Sequence, residues 1–361
     1  MGSAAAYHLA RSGLKVLGLD RFQPPHEQGS SHGQTRIIRE AYFEHPIYVP
    51  IVQRAYELWA ELGTSPERQL FLQTGGLMIG PRKGMVVRGA QHSAELHGLP
   101  YDCLSAREIR SQFPALRPDT STVGILESRA GILFPERCVE AHLDAARRAG
   151  ATLAFNESAV CWEPAGDRVR VRTATAEYRA DQVVLSAGSW IQQLVPDLDL
   201  PVTIERQTLF WFEPRDGAIW QPGQCPIFLW EHGRERWFYG FPDVGHGVKL
   251  ARHHQGVITD PDTVSRTVKL HEATSLRRLT RPLLAPLGPC VHKTVCLYTN
   301  MPDGHFLIDR HPAYPQVLIV SPCSGHGFKF SAAIGEIVSD LVRSGQSRFD
   351  LSLFRLRNRG G

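Results

Sequence analysis

The chain has 361 residues, enough for one large domain or two of ordinary size with a substantial core. Its 42% hydrophobic and 21% charged residues argue against a disordered or fibrous chain, and a net charge of +4 is too small to argue for nucleic acid or a membrane surface as a partner. Seven cysteines, an odd number without a Cys-x-x-Cys pair, argue against a disulfide framework or a structural zinc site and fit a reducing compartment. No metal ligand set is expected.

No apolar run is long enough to span a bilayer, and the Ala-rich start lacks the basic and continuous apolar regions of a signal peptide. Ala6 stands where a myristoylation signal needs Ser or Thr, and Arg359-Gly360-Gly361 is no retention tripeptide. A cytoplasmic protein is the default expectation. Arg355, Arg357 and Arg359 read as a solvated tail.

In chain order, residues from about Gly2 to Ser12 read as a helix of small residues, with Gly13 as its C-cap. Lys15 to Leu19 is a short buried strand ending at Asp20. A helix, a glycine, a strand and a terminal acid form the second half of a βαβ dinucleotide-binding unit, though they also occur in any α/β protein. The full fingerprint needs a strand and Gly-x-Gly-x-x-Gly before that helix. Gly2 takes the place of the third glycine, and the first strand and two glycines are missing from this chain.

Pro135 to Arg148 predicts a second helix, followed by a strand from Ala151 to Phe155. Val169, Val171 and Thr173 alternate with arginines as in a half-exposed antiparallel strand. Val183 to Leu185 is a buried-type strand that runs into Ser186-Ala187-Gly188-Ser189-Trp190, where small residues permit close approach of a ligand. From about Pro201 to Lys249 the chain is aromatic-rich and strand-like, which reads as a sheet core. Val317 to Val320 forms another buried strand, then a glycine turn Ser324-Gly325-His326-Gly327-Phe328-Lys329-Phe330 and a helix from about Ser331 to Arg343. That order brings backbone N–H groups against an anionic or electron-rich ligand.

Three motifs narrow the reading. Phe22 to Arg39, with Gly29-Ser30-Ser31-His32-Gly33-Gln34-Thr35-Arg36 inside it, follows the acid Asp20. Thr294-Val295-Cys296-Leu297-Tyr298-Thr299 precedes Asp303 and His305-Phe306-Leu307-Ile308-Asp309. The glycine turn Ser324 to Phe330 comes last. In this order they resemble the monomeric sarcosine oxidase and N-methyltryptophan oxidase family of FAD-dependent amino acid oxidases, over Met1 to about Phe354.

The resemblance implies an α/β fold: a Rossmann-like FAD-binding domain, its first strand missing from this chain, with an inserted, mainly antiparallel-sheet substrate domain. Residues 1–70, 120–200 and 297–350 are expected in the first domain, and 71–119 and 201–296 in the second. It implies an oxidase of N-methyl or cyclic secondary L-amino acids that gives an imine or demethylated product and hydrogen peroxide. FAD is expected to be covalent, through a thioether at Cys296. Small-molecule substrate and O₂ are the expected partners, and a monomer the expected state.

Residue by residue, the resemblance makes Arg39 and Lys329 the clamp on the substrate carboxylate, a task that needs fixed cations in a dehydrated pocket. Lys249 serves the reaction with oxygen, and His253, Tyr239 and Tyr298 line the amino acid pocket. Gly2, Asp20, Ser30, Ser31, Thr35, Arg36, Gly325, His326, Gly327 and Lys329 join Cys296 around the cofactor, with Asp20 on the adenosine ribose and Arg36 beside the flavin ring. Each has a plain structural alternative: an ion pair for Arg36, Arg39 and Lys329, a strand lysine pointing to water for Lys249, a small buried hydrophobe for Cys296. Cys323 is the competing thiol. Two other readings stand beside the oxidase. One is a dehydrogenase of the same substrates, against which Lys249 speaks. The other is an N-terminally truncated, FAD-deficient, non-catalytic homologue, with a gap in its parallel sheet and a product from Met1 that is poorly soluble or flavin-free; a start site placed too late is the simpler account. A nicotinamide enzyme would explain Asp20 but not Cys296, Lys249 or the C-terminal turn.

Overall fold

Small side chains let the first helix, Gly2–Arg11, sit deep in the protein. Ala4, Ala5, Ala6 and Ala10 are buried, and the helix packs on Pro135–Arg148 and Ser331–Ser344. A Cβ on Gly335 would come 2.7 Å from the backbone of Ala4, so the contact between first and last helices depends on that glycine. The first helix ends at Gly13, which adopts φ +87 and donates its N–H to Ala10. The computed structural model describes residues 1–63 and 68–356.

Two of the parallel pairs lie in separate small sheets. Leu17–Asp20 pairs in parallel with Thr152–Phe155, and Val183–Leu185 pairs in parallel with Val317–Ser321, itself antiparallel to Leu307–Arg310. A long cleft lined by Leu17–Asp20 on one side and Val183–Leu185 on the other lies between these sheets. Each expected strand here is present, the first starting two residues later than its apolar run. Ala159–Ala165, Arg168–Thr173 and Glu177–Ala180 make a small antiparallel sheet.

The aromatic segment becomes the centre of a nine-stranded sheet. Its strands Thr203–Pro214, Val248–His253, Arg236–Phe241 and Ile227–Gly233 run side by side in antiparallel register. The long strand Leu287–Asn300 pairs with the first of them. At the other end Ile227–Gly233 meets Gly76–Pro81 in parallel, and Thr122–Glu127 and Asp102–Ser105 follow. The sheet thus crosses residues 120 and 297.

Alternation of side chains along these strands sorts residues by task. Phe210, Phe212, Phe228, Phe238, Val248 and Leu250 fill one hydrophobic core. Leu209, Trp211, Ala251 and Cys296 cluster on the opposite face, with Tyr239 against them. Lys249 and His253 share that second face by the same two-residue period. The helices Tyr48–Leu62, Met85–His97 and Leu270–Thr280 are additional to those read from the sequence. The tail is not simply solvated. Arg355 pairs with Asp309 at 3.3 Å, while Arg357 and Arg359 lie outside the described residues. Among the described residues no helix is long and apolar enough to cross a membrane, and the described cysteines are free.

Candidate active site

One cleft of about 1400 Å³ joins the motifs from the two ends of the chain. Gly2, Asp20, Ser30 and Ser31 line it at one end, and Arg36 and Cys296 further along. Arg39, Tyr239, His253, Tyr298 and the turn from Gly325 to Lys329 close the other end. Of the residues singled out in the sequence, Thr35 and Lys249 are not part of its wall. They sit behind it, bonded to each other.

At the first end, the helix Gly2–Arg11 presents an N-terminus with no side-chain cap. The orphan N–H groups and the positive end of the helix dipole there suit an anion. A Cβ on Gly2 would meet Ser186 Oγ at 2.9 Å, so a side chain there would turn the Ser186 hydroxyl away. Asp20 Oδ1 accepts from Phe22 N at 2.8 Å, which fixes the carboxylate at the end of its strand.

Midway, Cys296 is 2% exposed and its Sγ lies 3.6 Å from Arg36 Nη2. Arg36 donates to the carbonyls of Thr35 and Ser30 rather than to a carboxylate, and so keeps its positive charge for the cleft. Ser30 Oγ donates to Leu297 O at 2.5 Å, tying the N-terminal loop to the strand that carries the thiol. His32 is 1% exposed, and burial, with help from the Arg36 charge, pulls it down to about 3.

Lys249 is 1% exposed, which rules out a strand lysine pointing to water. Its Nζ donates to Gly33 O at 2.6 Å, Thr35 O at 2.9 Å and Thr35 Oγ1 at 3.1 Å, and lies about 5 Å above the rings of Trp211 and Phe241. Burial, then Arg36, holds it well below the usual lysine range.

At the far end the two cations come together. Arg39 donates to both Glu44 oxygens, at 2.9 and 2.7 Å, and to Ala41 O at 3.0 Å. Burial opposes the charge on Arg39, but Glu44 outweighs it and the net shift is upward. Burial likewise pushes Glu44 up, and Arg39 more than reverses it. Lys329 donates to His326 O at 2.7 Å and to Tyr42 Oη at 3.3 Å; burial and then Arg39 lower it to about 7. His253 Nδ1 is 3.3 Å from Tyr298 Oη, and burial raises Tyr239 to about 12.

The glycine turn is sterically obligatory. Gly325 has φ +74, and a Cβ there would lie 2.7 Å from the Tyr298 ring. On Gly327 a Cβ would fall 1.7 Å from Pro322 O. Sequence reasoning missed Tyr42, Glu44 and Glu127. The last accepts N–H bonds from Glu40 and Ala41, both at 2.7 Å, and so fixes the backbone just beyond Arg39. None of the three carries a motif of its own; they are recognisable only once the chain is folded.

Residues 1–341 match the FAD dependent oxidoreductase family. The chain is 44% identical to the monomeric sarcosine oxidase of Streptomyces avermitilis, over 98% of this chain and 94% of that protein. It is 36% identical to the N-methyl-L-tryptophan oxidase of Citrobacter koseri, over 99% and 95%. Among solved structures, the open form of NikD, an unusual amino acid oxidase essential for nikkomycin biosynthesis, superposes with a TM-score of 0.83 at 22% identity, covering 98% of this chain and 94% of that one. The last likeness bears on the fold alone.

Proposed function

The chain belongs to the FAD dependent oxidoreductase family, and on that premise we propose that it is a monomeric oxidase of N-methyl or cyclic secondary L-amino acids of the sarcosine type, giving an imine or demethylated product and hydrogen peroxide. The observation that carries this reading is the meeting of Arg39 and Lys329 over the Tyr42 ring in the same cleft that a helix N-terminus and Asp20 line. Residues 1–70, 120–200 and 297–350 form the FAD-binding part, and 71–119 and 201–296 the substrate part.

The residues present fit FAD. The cleft is larger than the roughly 300–1,000 Å³ usual for a small-molecule pocket, and Gly325 and Gly327 on its wall have no room for a side chain. When bound, FAD supplies the two-electron oxidation of the substrate C–N bond and passes the electrons to O₂. The protein's residues do the rest. Gly2 and its helix hold the pyrophosphate, Asp20 the ribose, and Ser30, Ser31, Thr35, Gly325, His326 and Gly327 frame the ring system. Arg36 stabilises negative charge on the ring and stands 3.6 Å from the Cys296 sulfur. The Cys323 thiol is raised by burial, which makes it the weaker candidate for attachment. Arg39 and Lys329 hold the substrate carboxylate, which requires Arg39 to exchange Glu44 for the substrate. Tyr239, Tyr298 and His253 enclose the amine, with His253 kept neutral by burial. Lys249, its N–H groups spent on Gly33 and Thr35, serves the oxygen step through its charge.

The test is a denaturing gel of the purified chain viewed under ultraviolet light. Flavin fluorescence should migrate with the polypeptide and vanish in Cys296→Ala; a band that persists there refutes the anchor and points to Cys323. Peroxide release in air across sarcosine, N-methyltryptophan, pipecolate and proline identifies the substrate. Bleaching of the yellow colour without peroxide would favour the dehydrogenase, and a colourless protein the FAD-deficient homologue.

A further inference from the structure

Tyr42 is fully buried and touches both cations at the carboxylate end of the cleft. Arg39 Cζ lies 4.2 Å from its ring centroid, and Lys329 Nζ lies 5.2 Å from the same centroid. Its hydroxyl is 2.6 Å from His326 Nδ1 and 3.3 Å from Lys329 Nζ. His326 Nε2 is 2.9 Å from Gly304 O.

The directions of these bonds follow by elimination. A backbone carbonyl only accepts, so His326 Nε2 carries the ring proton. In the neutral ring Nδ1 is then a lone pair, and the Tyr42 O–H points at it. The ammonium of Lys329 has nothing but protons to offer, so it donates to the Tyr42 oxygen. The chain runs one way, from Lys329 through Tyr42 and His326 to Gly304. Moving the ring proton to Nδ1 would set the Nε2 lone pair against the Gly304 carbonyl, two acceptors, and would turn the Tyr42 O–H toward the Lys329 ammonium, two donors.

We propose that Tyr42 is the positioning residue of the carboxylate clamp. Its ring backs Arg39, its hydroxyl holds Lys329, and the same hydroxyl donates to the Nδ1 lone pair that the Gly304 contact leaves on His326. This rests on the reading of Arg39 and Lys329 as the substrate's carboxylate partners. A single aromatic side chain thus sets the spacing of two like charges that would otherwise repel each other, and couples that spacing to the ring next to the glycine turn.

The test uses the flavin-loaded full chain. In Tyr42→Phe the ring stays behind Arg39, while Lys329 loses an acceptor and His326 Nδ1 its donor. Acetate affinity by calorimetry is expected to fall about tenfold, the scale of one hydrogen bond to a charged group, while the weaker binding of uncharged acetamide stays unchanged. For substrate, KM is expected to rise by a similar factor with a smaller change in kcat. In ¹⁵N-histidine spectra the unsubstituted protein should show His326 as Nε2–H, with the resonance identified by its loss in His326→Gln, and in Tyr42→Phe the Nδ1 resonance should move to that of an unbonded lone pair. Wild-type acetate affinity together with an unchanged Nδ1 resonance in Tyr42→Phe would overturn the proposal. A Nδ1–H tautomer in the unsubstituted protein would overturn it with no variant needed. If Lys329→Met also leaves acetate affinity unchanged, the clamp reading itself falls and takes the role of Tyr42 with it; if Lys329→Met weakens acetate and Tyr42→Phe does not, only Tyr42 is at fault.

Discussion

Gly325→Ala separates two costs that are usually merged. At φ +74 any L side chain is strained, by about 1–2 kcal/mol. The new methyl would also stand 2.7 Å from the Tyr298 ring and 3.0 Å from His254, where ordinary contact begins at 3.4 Å. The ring must therefore retreat by roughly 0.7 Å, or the turn must open by as much, and over-packing of this kind adds about 1–3 kcal/mol. Gly345 provides the control. It has the same φ of +74, at the end of the last helix, with nothing within 4 Å of its virtual Cβ. Gly345→Ala should lose only the conformational part, and the difference between the two variants in urea denaturation isolates the contact. Function should separate them further. A displacement approaching 1 Å in a wall of the amino acid pocket is expected to lower kcat/KM by about 10- to 100-fold in Gly325→Ala and leave Gly345→Ala at the unsubstituted value. Equal urea midpoints for the two variants, with equal kcat/KM, would refute the claim that Tyr298 is held by the absence of a side chain at Gly325.

Two further outcomes follow from the buried charges. Lys329 is lowered to about 7 by burial and then by Arg39. In the free protein it is cationic below that pH and neutral above it, so acetate affinity should be flat on the acid side and weaken as pH rises through about 7. Lys329→Met should lower the affinity and remove this dependence; a decline that persists in the variant would assign it elsewhere. Glu127 takes two backbone N–H bonds at 2.7 Å. In Glu127→Gln one of those donors faces an amide NH₂, and the expected loss is about 1–3 kcal/mol by urea denaturation, with KM rising because Arg39 directly precedes this backbone; a change below about 0.5 kcal/mol, the scale of an inert surface substitution, would mean that the loop is held by other contacts.

The parts of this molecule that the sequence made legible are those whose signal is local. Gly13, Asp20 and the glycine turn announce themselves by residue type, and the aromatic runs between Pro201 and Lys249 were readable as sheet. Missing from that reading were the helices Tyr48–Leu62 and Met85–His97. Their burial is decided by partners far along the chain, not by caps: neither has a side-chain N-cap bond. The clamp is a sharper case. Arg39 and Lys329 are marked by their motifs, but their fixation is not, because Tyr42 meets His326 across 284 positions of sequence. Nothing in Glu-Ala-Tyr-Phe-Glu distinguishes a keystone from an ordinary buried tyrosine.

Lys249 shows where period and motif together say more than either does alone. The motif marked it as functional, while the period left open whether it faced water. The sheet resolves the choice through register: Lys249 stands opposite Trp211 on one neighbour and Phe241 on the other. Both are large rings on the face away from the hydrophobic core, so the lysine lies between aromatic side chains and under the Gly33–Thr35 carbonyls. A cation so placed cannot hydrogen-bond a ligand without giving up one of three protein oxygens. Its influence on the cleft is therefore exerted through space. In that setting a field is strong, because buried charges are poorly screened, and a neutral replacement such as Lys249→Met acts on charge more than on shape.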